Sequence, residues 1–304
     1  MTPLPSEPTG TLAETVDSVP SRLKMAVHGF RQAPIAFRFG GILVIAFIAV
    51  AFTSIWWTPH DPIAIAVEKR LAPPGWPHLL GTDALGRDVL SQLMEGARNS
   101  LLIGGLATIA AMVPGVAVGL LAASAARNKR LLLSRAADVG VALPGILIAL
   151  VLATAIGPSN LTSVLAIIAW FTPVVVRLTI GPARQVLALP FVEAARAYGR
   201  GRSFIALRHV LPNIGPLLIV QASAMFAAAI LIEAALSYLG VGAPRPTPSW
   251  GRMLNESQSL IEIAPTLVAF PGLAIMGAVL GFNLLGDGLR VLLDPRQEAH
   301  TVAV

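Results

Sequence analysis

The sequence contains no cysteine and few charged residues, and each of these features excludes certain kinds of site or classes of protein. Because none of its 304 residues is cysteine, disulfides, thiolate metal sites and a cysteine nucleophile are excluded. Charged residues make up 12% of the chain, against about 25% in average soluble proteins, whereas apolar residues make up 55%. With a mean hydropathy of +0.74, this composition indicates a membrane protein.

Lysine is also scarce, and its positions exclude a phosphate-binding loop. A loop that cradles nucleotide phosphates needs glycines followed by Gly-Lys-Ser or Gly-Lys-Thr. The lysines of this chain, Lys24, Lys69 and Lys129, neither follow a glycine nor precede serine or threonine. The chain is therefore predicted not to be an enzyme that hydrolyses ATP itself.

Six apolar runs predict an all-α membrane protein with six transmembrane helices, since roughly 20 helical residues cross a hydrocarbon core of about 30 Å. The predicted spans are 39–57, 100–125, 139–156, 161–176, 216–239 and 264–285. They place a membrane domain at 39–290, after a leader at 1–38 and before a short tail at 291–304. Residues 1–20 are polar without apolar period, which predicts disorder.

Lysine and arginine fall mostly on one side of these spans. Sixteen of the 22 lie before the first span, after the last, or in the loops after the second and fourth. Positive charges are retained on the cytoplasmic side during insertion, so both termini are predicted to be cytoplasmic. The same retention explains the net charge of +6, and no nucleic-acid partner is expected.

The two long outer loops are predicted at 58–99 and 240–263. Within them, 79–98 has the apolar stripe of an amphipathic surface helix, and Trp250 is predicted to anchor at the membrane interface. His60 and His78 stand alone in the sequence, without the spacing of a ligand cluster. No metal site is therefore expected.

The polar and basic segment 190–213 lies between two apolar runs and is the most informative part of the chain. Pro190 favours the first turn of a helix, Glu193 suits its positive end, and Gly199 can take the left-handed conformation that ends it. The helix between them carries an apolar face spaced i, i+3, i+4 and i+7, namely Phe191, Ala194, Ala195 and Tyr198. So short a helix needs a partner surface, although an ordinary interfacial loop is an alternative. Ser203 is predicted to cap a second helix that ends before Pro212.

Within this segment Glu193-Ala194-Ala195, Gly199 and Leu211-Pro212 stand at a recognisable spacing. In these motifs the chain resembles the permease subunits of binding-protein-dependent ABC importers. The run 209–213 (His-Val-Leu-Pro-Asn) is similar to the variant of the peptide, nickel and opine branch. Segments 78–90, 233–251 and 282–296 resemble the second permease subunit of that branch, the DppC and OppC type.

The resemblance implies the fold of a type I ABC importer permease, with a cytoplasmic coupling helix in the loop 184–213 that docks in a cleft of an ATPase. The ATPase-coupling residues it implies are Phe191, Glu193, Ala194, Ala195, Tyr198, Gly199, Leu211 and Pro212. Implied partners are a homologous second permease in a heterodimer, two cytoplasmic ATPase subunits or a fused pair, and an extracytoplasmic substrate-binding protein. ATP and magnesium would be bound by the ATPases, with no cofactor in this chain, and the whole would lie in the lipid bilayer of a bacterial inner membrane.

The implied function is half of a translocation pathway for dipeptides and oligopeptides, coupled to ATP hydrolysis. Nickel complexes, haem or opines are the alternative cargoes of the same branch, and an autonomous secondary transporter is a further alternative.

Glu233 is an acid inside the fifth predicted span, where an unpaired carboxylate costs roughly 2.5 to 3.5 kcal/mol. It is predicted either to line the translocation pathway or to make a structural hydrogen bond. Asp138 and Asp287 lie near predicted span ends and are interpreted as structural, with Arg135 or Arg290 as their pairing partners.

Overall fold

The computed structural model of the protein describes residues 35–293. The predicted disorder at 1–20 and most of the predicted tail lie outside the described residues. Between 35 and 293 the chain folds into ten α-helices joined by loops and short turns. They are α1 (Ile35–Trp56), α2 (Val89–Ser124), α3 (Arg127–Ala142), α4 (Gly145–Ile156), α5 (Asn160–Leu187), α6 (Pro190–Ala197), α7 (Arg202–Ile205), α8 (Leu211–Tyr238), α9 (Trp250–Ser257) and α10 (Thr266–Leu292).

Five helical segments are long and apolar enough to cross a membrane, namely α1, α2, α5, the run Arg202–Tyr238 and α10. The remaining predicted span is a bent pair, because the axes of α3 and α4 differ by 81°. Pro144 causes this bend, since it pushes Leu143 into an extended conformation. The predicted span 139–156 is thus divided by a sharp bend at Pro144, and the all-α fold with six spans is confirmed when the pair counts as one span.

Several helices extend beyond the apolar runs that predicted them. Helix α2 begins at Val89, and the side chain of Asp88 caps it by accepting a hydrogen bond from the backbone N–H of Ser91 at 2.8 Å. The predicted surface helix at 79–98 is therefore wrong, because residues 79–88 form turns and 89–98 are the first turns of α2. Helix α5 likewise continues to Leu187. A hydropathy window ends where polar residues begin, whereas the backbone hydrogen bonds of a helix continue.

Helix α2 lies at the centre of the bundle and packs along α5, and α1 packs along α10. Glycines allow the first of these contacts. A Cβ atom on Gly115 would lie 2.6 Å from the Cβ of Val175, and one on Gly119 would lie 2.6 Å from the Cβ of Thr179. Small residues four apart thus let the two helix backbones approach closely.

The two ends of the bundle are built differently. One end carries α3, α6, α7 and the last turns of α2 and α5, and is called the 190–213 end below. The opposite end carries the loop 57–88 and helix α9, and is called the α9 end. Near the 190–213 end, Asp138 pairs with Arg177 at 3.0 Å, so the predicted pairing with Arg135 is wrong.

Helix α9 is fixed to the start of α2 by buried contacts. Trp250 is 3% exposed, and its indole Nε1–H donates to the carbonyl of Leu93 at 3.0 Å. The prediction that Trp250 anchors at the membrane interface is therefore wrong. Arg87 bridges Asp83 and Glu256 at 2.6 and 2.5 Å. Burial alone would lower the pKa of Arg87, but the hydrogen bond to Glu256 and the charge of Asp83 outweigh it, so the pKa is raised and the guanidinium stays charged.

Candidate functional site

Helix α6 begins and ends where its sequence predicts. Pro190 occupies the first turn after an extended Leu189, which suits a residue that lacks a backbone N–H. Gly199 follows the helix with φ of +75°, in the left-handed region. The N–H of Arg200 then donates to the carbonyl of Ala195 at 3.1 Å, which closes the turn. Local sequence chemistry therefore sets both boundaries.

One side of α6 is fixed to the bundle by Val192, which is fully buried. Its neighbours lie at the ends of α2 and α5 and in the segment from Ile205 to Leu218. We call this group the anchor cluster: Leu120, Ala123, Ala183, Val192, Ile205, Val210, Ile214 and Leu218. Ala195 also packs partly against the anchor cluster, so it is turned inward rather than sharing the outward face predicted for it. The i, i+3, i+4 pattern missed Val192 because it followed Phe191 and Tyr198, whose side of the helix is adjacent to Val192 rather than centred on it.

The other side of α6 faces away from the bundle. Phe191 is 44% exposed, Tyr198 is 86% exposed, and Ala194 is exposed between them. We call these three residues the outward face. Glu193 is exposed too, and within residues 35–293 it makes no ion pair. An exposed apolar face on an eight-residue helix is what a partner-binding helix presents before it binds.

The second predicted helix differs from its prediction at both ends. Helix α7 begins at Arg202 after Gly201, without a cap from Ser203. The helical path does not stop before Pro212, because α7 ends at Ile205 and a π-turn over Ala206–Val210 leads directly into α8. A proline clashes with the carbonyl four residues earlier, and the wider π-turn relieves this clash.

The run Arg202–Tyr238 is consequently one path of 37 residues from the 190–213 end to the α9 end. Leu211 is half-buried against the anchor cluster, and Pro212 is exposed. The side chain of Asn213 donates to the carbonyl of His209 at 2.7 Å, which satisfies a carbonyl beside the π-turn. The segment next to α6 is thus continuous with a membrane span.

Aromatic and basic side chains extend the outward face. The rings of Phe191 and Phe204 both meet His209 edge-on, each with centroids 5.7 Å apart. The guanidinium of Arg200 lies 4.8 Å from the centre of the Phe204 ring. Sequence reasoning missed Phe204 and Arg200. The signal that could have found them is an aromatic residue, Phe204, two residues after Arg202 in a basic loop.

A cavity of about 420 Å³ lies beside α6. Arg196, Arg200 and Arg202 contribute to its walls, between the ends of α2 and α5. None of the three pairs with a carboxylate in the described part of the chain. The positive charge is therefore available to acidic groups on a partner.

Glu233 lies far from this surface, inside the bundle and roughly one and a half turns before α8 ends at Tyr238. Its carboxylate is fully buried and accepts hydrogen bonds from the hydroxyls of Ser100 at 3.0 Å and Ser237 at 2.7 Å. The contact with Ser100 ties α8 to α2. Since the chain's own helices enclose the carboxylate, this geometry favours the structural hydrogen bond over a role in the translocation pathway.

Replacing Glu233 by leucine is expected to destabilise the protein by about 1–3 kcal/mol, because both hydroxyls lose their acceptor in a buried site. Glu233→Gln keeps the shape and one acceptor oxygen, so it should cost less. Thermal unfolding of the purified chain in detergent measures both. If both variants kept the wild-type melting temperature but lost uptake per folded molecule, the structural role would be wrong and the carboxylate would belong to the pathway.

Comparison with known proteins assigns a family to this architecture. Residues 115–299 match the family described as binding-protein-dependent transport system inner membrane component. The chain is 41% identical over 264 residues to the di/tripeptide transport system permease protein DppC of Pseudomonas aeruginosa, covering 84% of this chain and 87% of that protein. It is 36% identical over 260 residues to the dipeptide transport system permease protein DppC of Alkalihalophilus pseudofirmus, covering 86% of each. It is also 36% identical over 255 residues to the probable D,D-dipeptide transport system permease protein DdpC of Escherichia coli, covering 84% of this chain and 86% of that protein.

Proposed function

Since the chain belongs to the family of binding-protein-dependent transport system inner membrane components, we propose that it forms half of the peptide pathway of an ATP-driven importer. The family supplies the membrane permease of ABC transporters, and ATP hydrolysis is carried by separate subunits. The names of three similar relatives state transport of dipeptides or of di- and tripeptides. The cargo of this chain is accordingly a short peptide.

Helix α6 is the observation that carries the coupling proposal. It is fixed to the bundle through Val192 while Phe191, Ala194 and Tyr198 point away from it. Helix-in-groove recognition uses this arrangement, because the apolar face of the helix enters a cleft on the partner. We therefore assign the outward face to an ATPase cleft, with Glu193 orienting the helix at its rim.

The link between α6 and the membrane is the second part of the proposal. The anchor cluster joins Val192 of α6 to Ile205 and Val210, which lie on the run Arg202–Tyr238. Leu211 and Pro212 stand where the π-turn passes into α8. A displacement of α6 by the ATPase would therefore be transmitted to α8, and alternating access would follow.

The proposed orientation places the 190–213 end in the cytoplasm of a bacterial cell and both termini on the same side of its inner membrane. The arginines around the α6 cavity support it, because positive charge is retained inside. The α9 end then faces outward, where a substrate-binding protein would deliver the peptide. A homologous second permease completes the pathway, and two ATPase subunits, separate or fused, bind ATP and magnesium.

Uptake by the reconstituted transporter tests this function. Proteoliposomes that contain this chain, its partner permease and the ATPases are supplied with binding protein and a labelled mixture of short peptides. We expect accumulation only when ATP is present on the ATPase side. If the binding protein stimulated ATP hydrolysis without peptide uptake, the assignment of a peptide cargo would be wrong, whereas the assignment as an ATP-driven importer would stand. Peptide uptake driven by an ion gradient without ATP would overturn the importer itself.

A further inference from the structure

Two histidines and an aspartate that are separate in the sequence converge at the α9 end. The rings of His60 and His78 lie side by side with centroids 4.4 Å apart. Nδ1 of His78 lies 2.9 Å from Oδ1 of Asp88, and Nδ1 of His60 lies 3.5 Å from the same oxygen. One nitrogen or oxygen from each of the three residues fits within 4.8 Å of the others. The expectation that these histidines are isolated is therefore wrong.

The three side chains are held in place from outside the cluster. Oδ2 of Asp88 accepts hydrogen bonds from the backbone N–H of Ser91 at 2.8 Å and from its hydroxyl at 2.7 Å, which leaves Oδ1 to the histidines. The backbone N–H of His60 donates to the hydroxyl of Ser91 at 3.0 Å. The cluster is thus attached to the first turn of α2, a rigid element, and preorganised ligands of this kind favour binding.

One of the two nitrogens beside Oδ1 of Asp88 lacks a hydrogen-bond partner. Nδ1 of His60 is buried and unsatisfied, whereas Nδ1 of His78 already meets Oδ1 of Asp88 at 2.9 Å. The side chain of Asp88 is 1% exposed and that of His78 is 11% exposed. A buried polar atom left unpaired costs about 1–3 kcal/mol, so native proteins rarely keep one without a protein, water or ion partner. The unpaired Nδ1 of His60 is the nitrogen that lies 3.5 Å from Oδ1 of Asp88.

We propose that His60, His78 and Asp88 bind a divalent transition-metal ion, with zinc as the best fit. Zinc takes imidazole nitrogens and carboxylate oxygens at about 2.0 to 2.2 Å in a tetrahedron, which sets neighbouring ligand atoms about 3.4 Å apart. The observed separations of 2.9 and 3.5 Å lie on either side of that value. Two nitrogen ligands disfavour magnesium and calcium, which prefer oxygen.

Zinc at this position would tie the loop 57–88 to the start of α2. His60 follows α1 directly, and Asp88 caps α2, so the ion would bridge the ends of two spans. Three protein ligands leave the fourth tetrahedral position to water.

Metal titration of the purified full-length chain tests the site. The chain is isolated through a tag without histidine, stripped with chelator and titrated with Zn²⁺ alone by calorimetry. We expect one ion per chain, and a loss of affinity of about tenfold or more in His60→Gln, since even outer-shell changes cost 10- to 100-fold. The matched control is His209→Gln, which changes a histidine at the opposite end and should leave affinity unchanged.

Cobalt provides a readout that needs no variant. Co²⁺ in a tetrahedral site with nitrogen ligands absorbs strongly in visible light, whereas hydrated octahedral Co²⁺ absorbs weakly. We expect this absorption in the wild-type chain, its loss on addition of Zn²⁺, and its persistence in excess Mg²⁺. The proposal is overturned if the wild type takes up no more Zn²⁺ than His60→Gln/His78→Gln, or if His60→Gln and His209→Gln weaken binding equally.

Discussion

Replacing Gly199 by valine is expected to lower ATP-driven uptake by about 5- to 30-fold while the chain still inserts and folds. The residue has φ of +75°, and holding an L-residue there costs about 1–2 kcal/mol, more for a β-branched side chain. A free-energy cost of about 1–2 kcal/mol shifts the equilibrium between two conformations by about 5- to 30-fold, which is the expected reduction in uptake. The turn after α6 would relax, and the outward face would lose its fixed position.

Local crowding does not explain such an effect. A Cβ atom on Gly199 would meet nothing within 4 Å in this chain, so only the backbone conformation resists the change. Gly199→Asn is the matched control, because asparagine has a similar size and enters the left-handed region more readily. Uptake should be close to wild type with asparagine. If valine and asparagine reduced uptake equally, the backbone explanation would fail and a steric contact with the docked ATPase would replace it.

The second large effect is expected at Tyr198. Truncating an aromatic residue at the centre of an interface costs about 2–4 kcal/mol, so Tyr198→Ala should weaken ATPase binding by about 30- to 1000-fold. Tyr198 is 86% exposed in this chain, so its loss should leave the fold intact. The measurement is the amount of ATPase that co-purifies with the permease in detergent, together with the melting temperature of the permease alone.

The chain offers its own control for this substitution. It contains two tyrosines, and Tyr238 lies at the α9 end, where its hydroxyl donates to the side chain of Gln258 at 2.7 Å. Tyr238→Ala should therefore leave ATPase co-purification unchanged. Equal loss of ATPase in both variants would contradict docking at α6, as would full retention in Tyr198→Ala.

The boundaries of α6 could be predicted from sequence because they depend on local backbone chemistry. Pro190 fits a first helical turn and Gly199 fits a left-handed ending, whatever surrounds them. The six spans could be predicted for a similar reason, since hydrocarbon thickness sets their length. Pro144 inside an apolar run indicates a bend, but the angle of 81° could not be predicted, because packing decides whether a proline kinks a span or breaks it.

Features that depend on contacts between residues far apart in the sequence could not be predicted from the sequence. Val192 is adjacent to the outward face, and only its burial against Leu120 and Ala183 shows which side of α6 is fixed. The convergence of His60, His78 and Asp88 depends on how the loop 57–88 folds back on α2. The conformation of this loop could not be predicted from hydrophobic periodicity, because loops lack a regular repeat.

The most direct test of the account is the chemical accessibility of α6 in the assembled transporter. The chain has no cysteine, so a single Ala194→Cys on the outward face provides a unique thiol with little change in size. Ser259→Cys, exposed at the α9 end, is the control. Maleimide labelling is measured with and without bound ATPase. Docking at α6 predicts that the ATPase slows labelling of Ala194→Cys at least about tenfold, the factor expected from 1.4 kcal/mol of protection, and leaves labelling of Ser259→Cys unchanged. Equal labelling of Ala194→Cys in a complex that still holds its ATPase would contradict docking at α6.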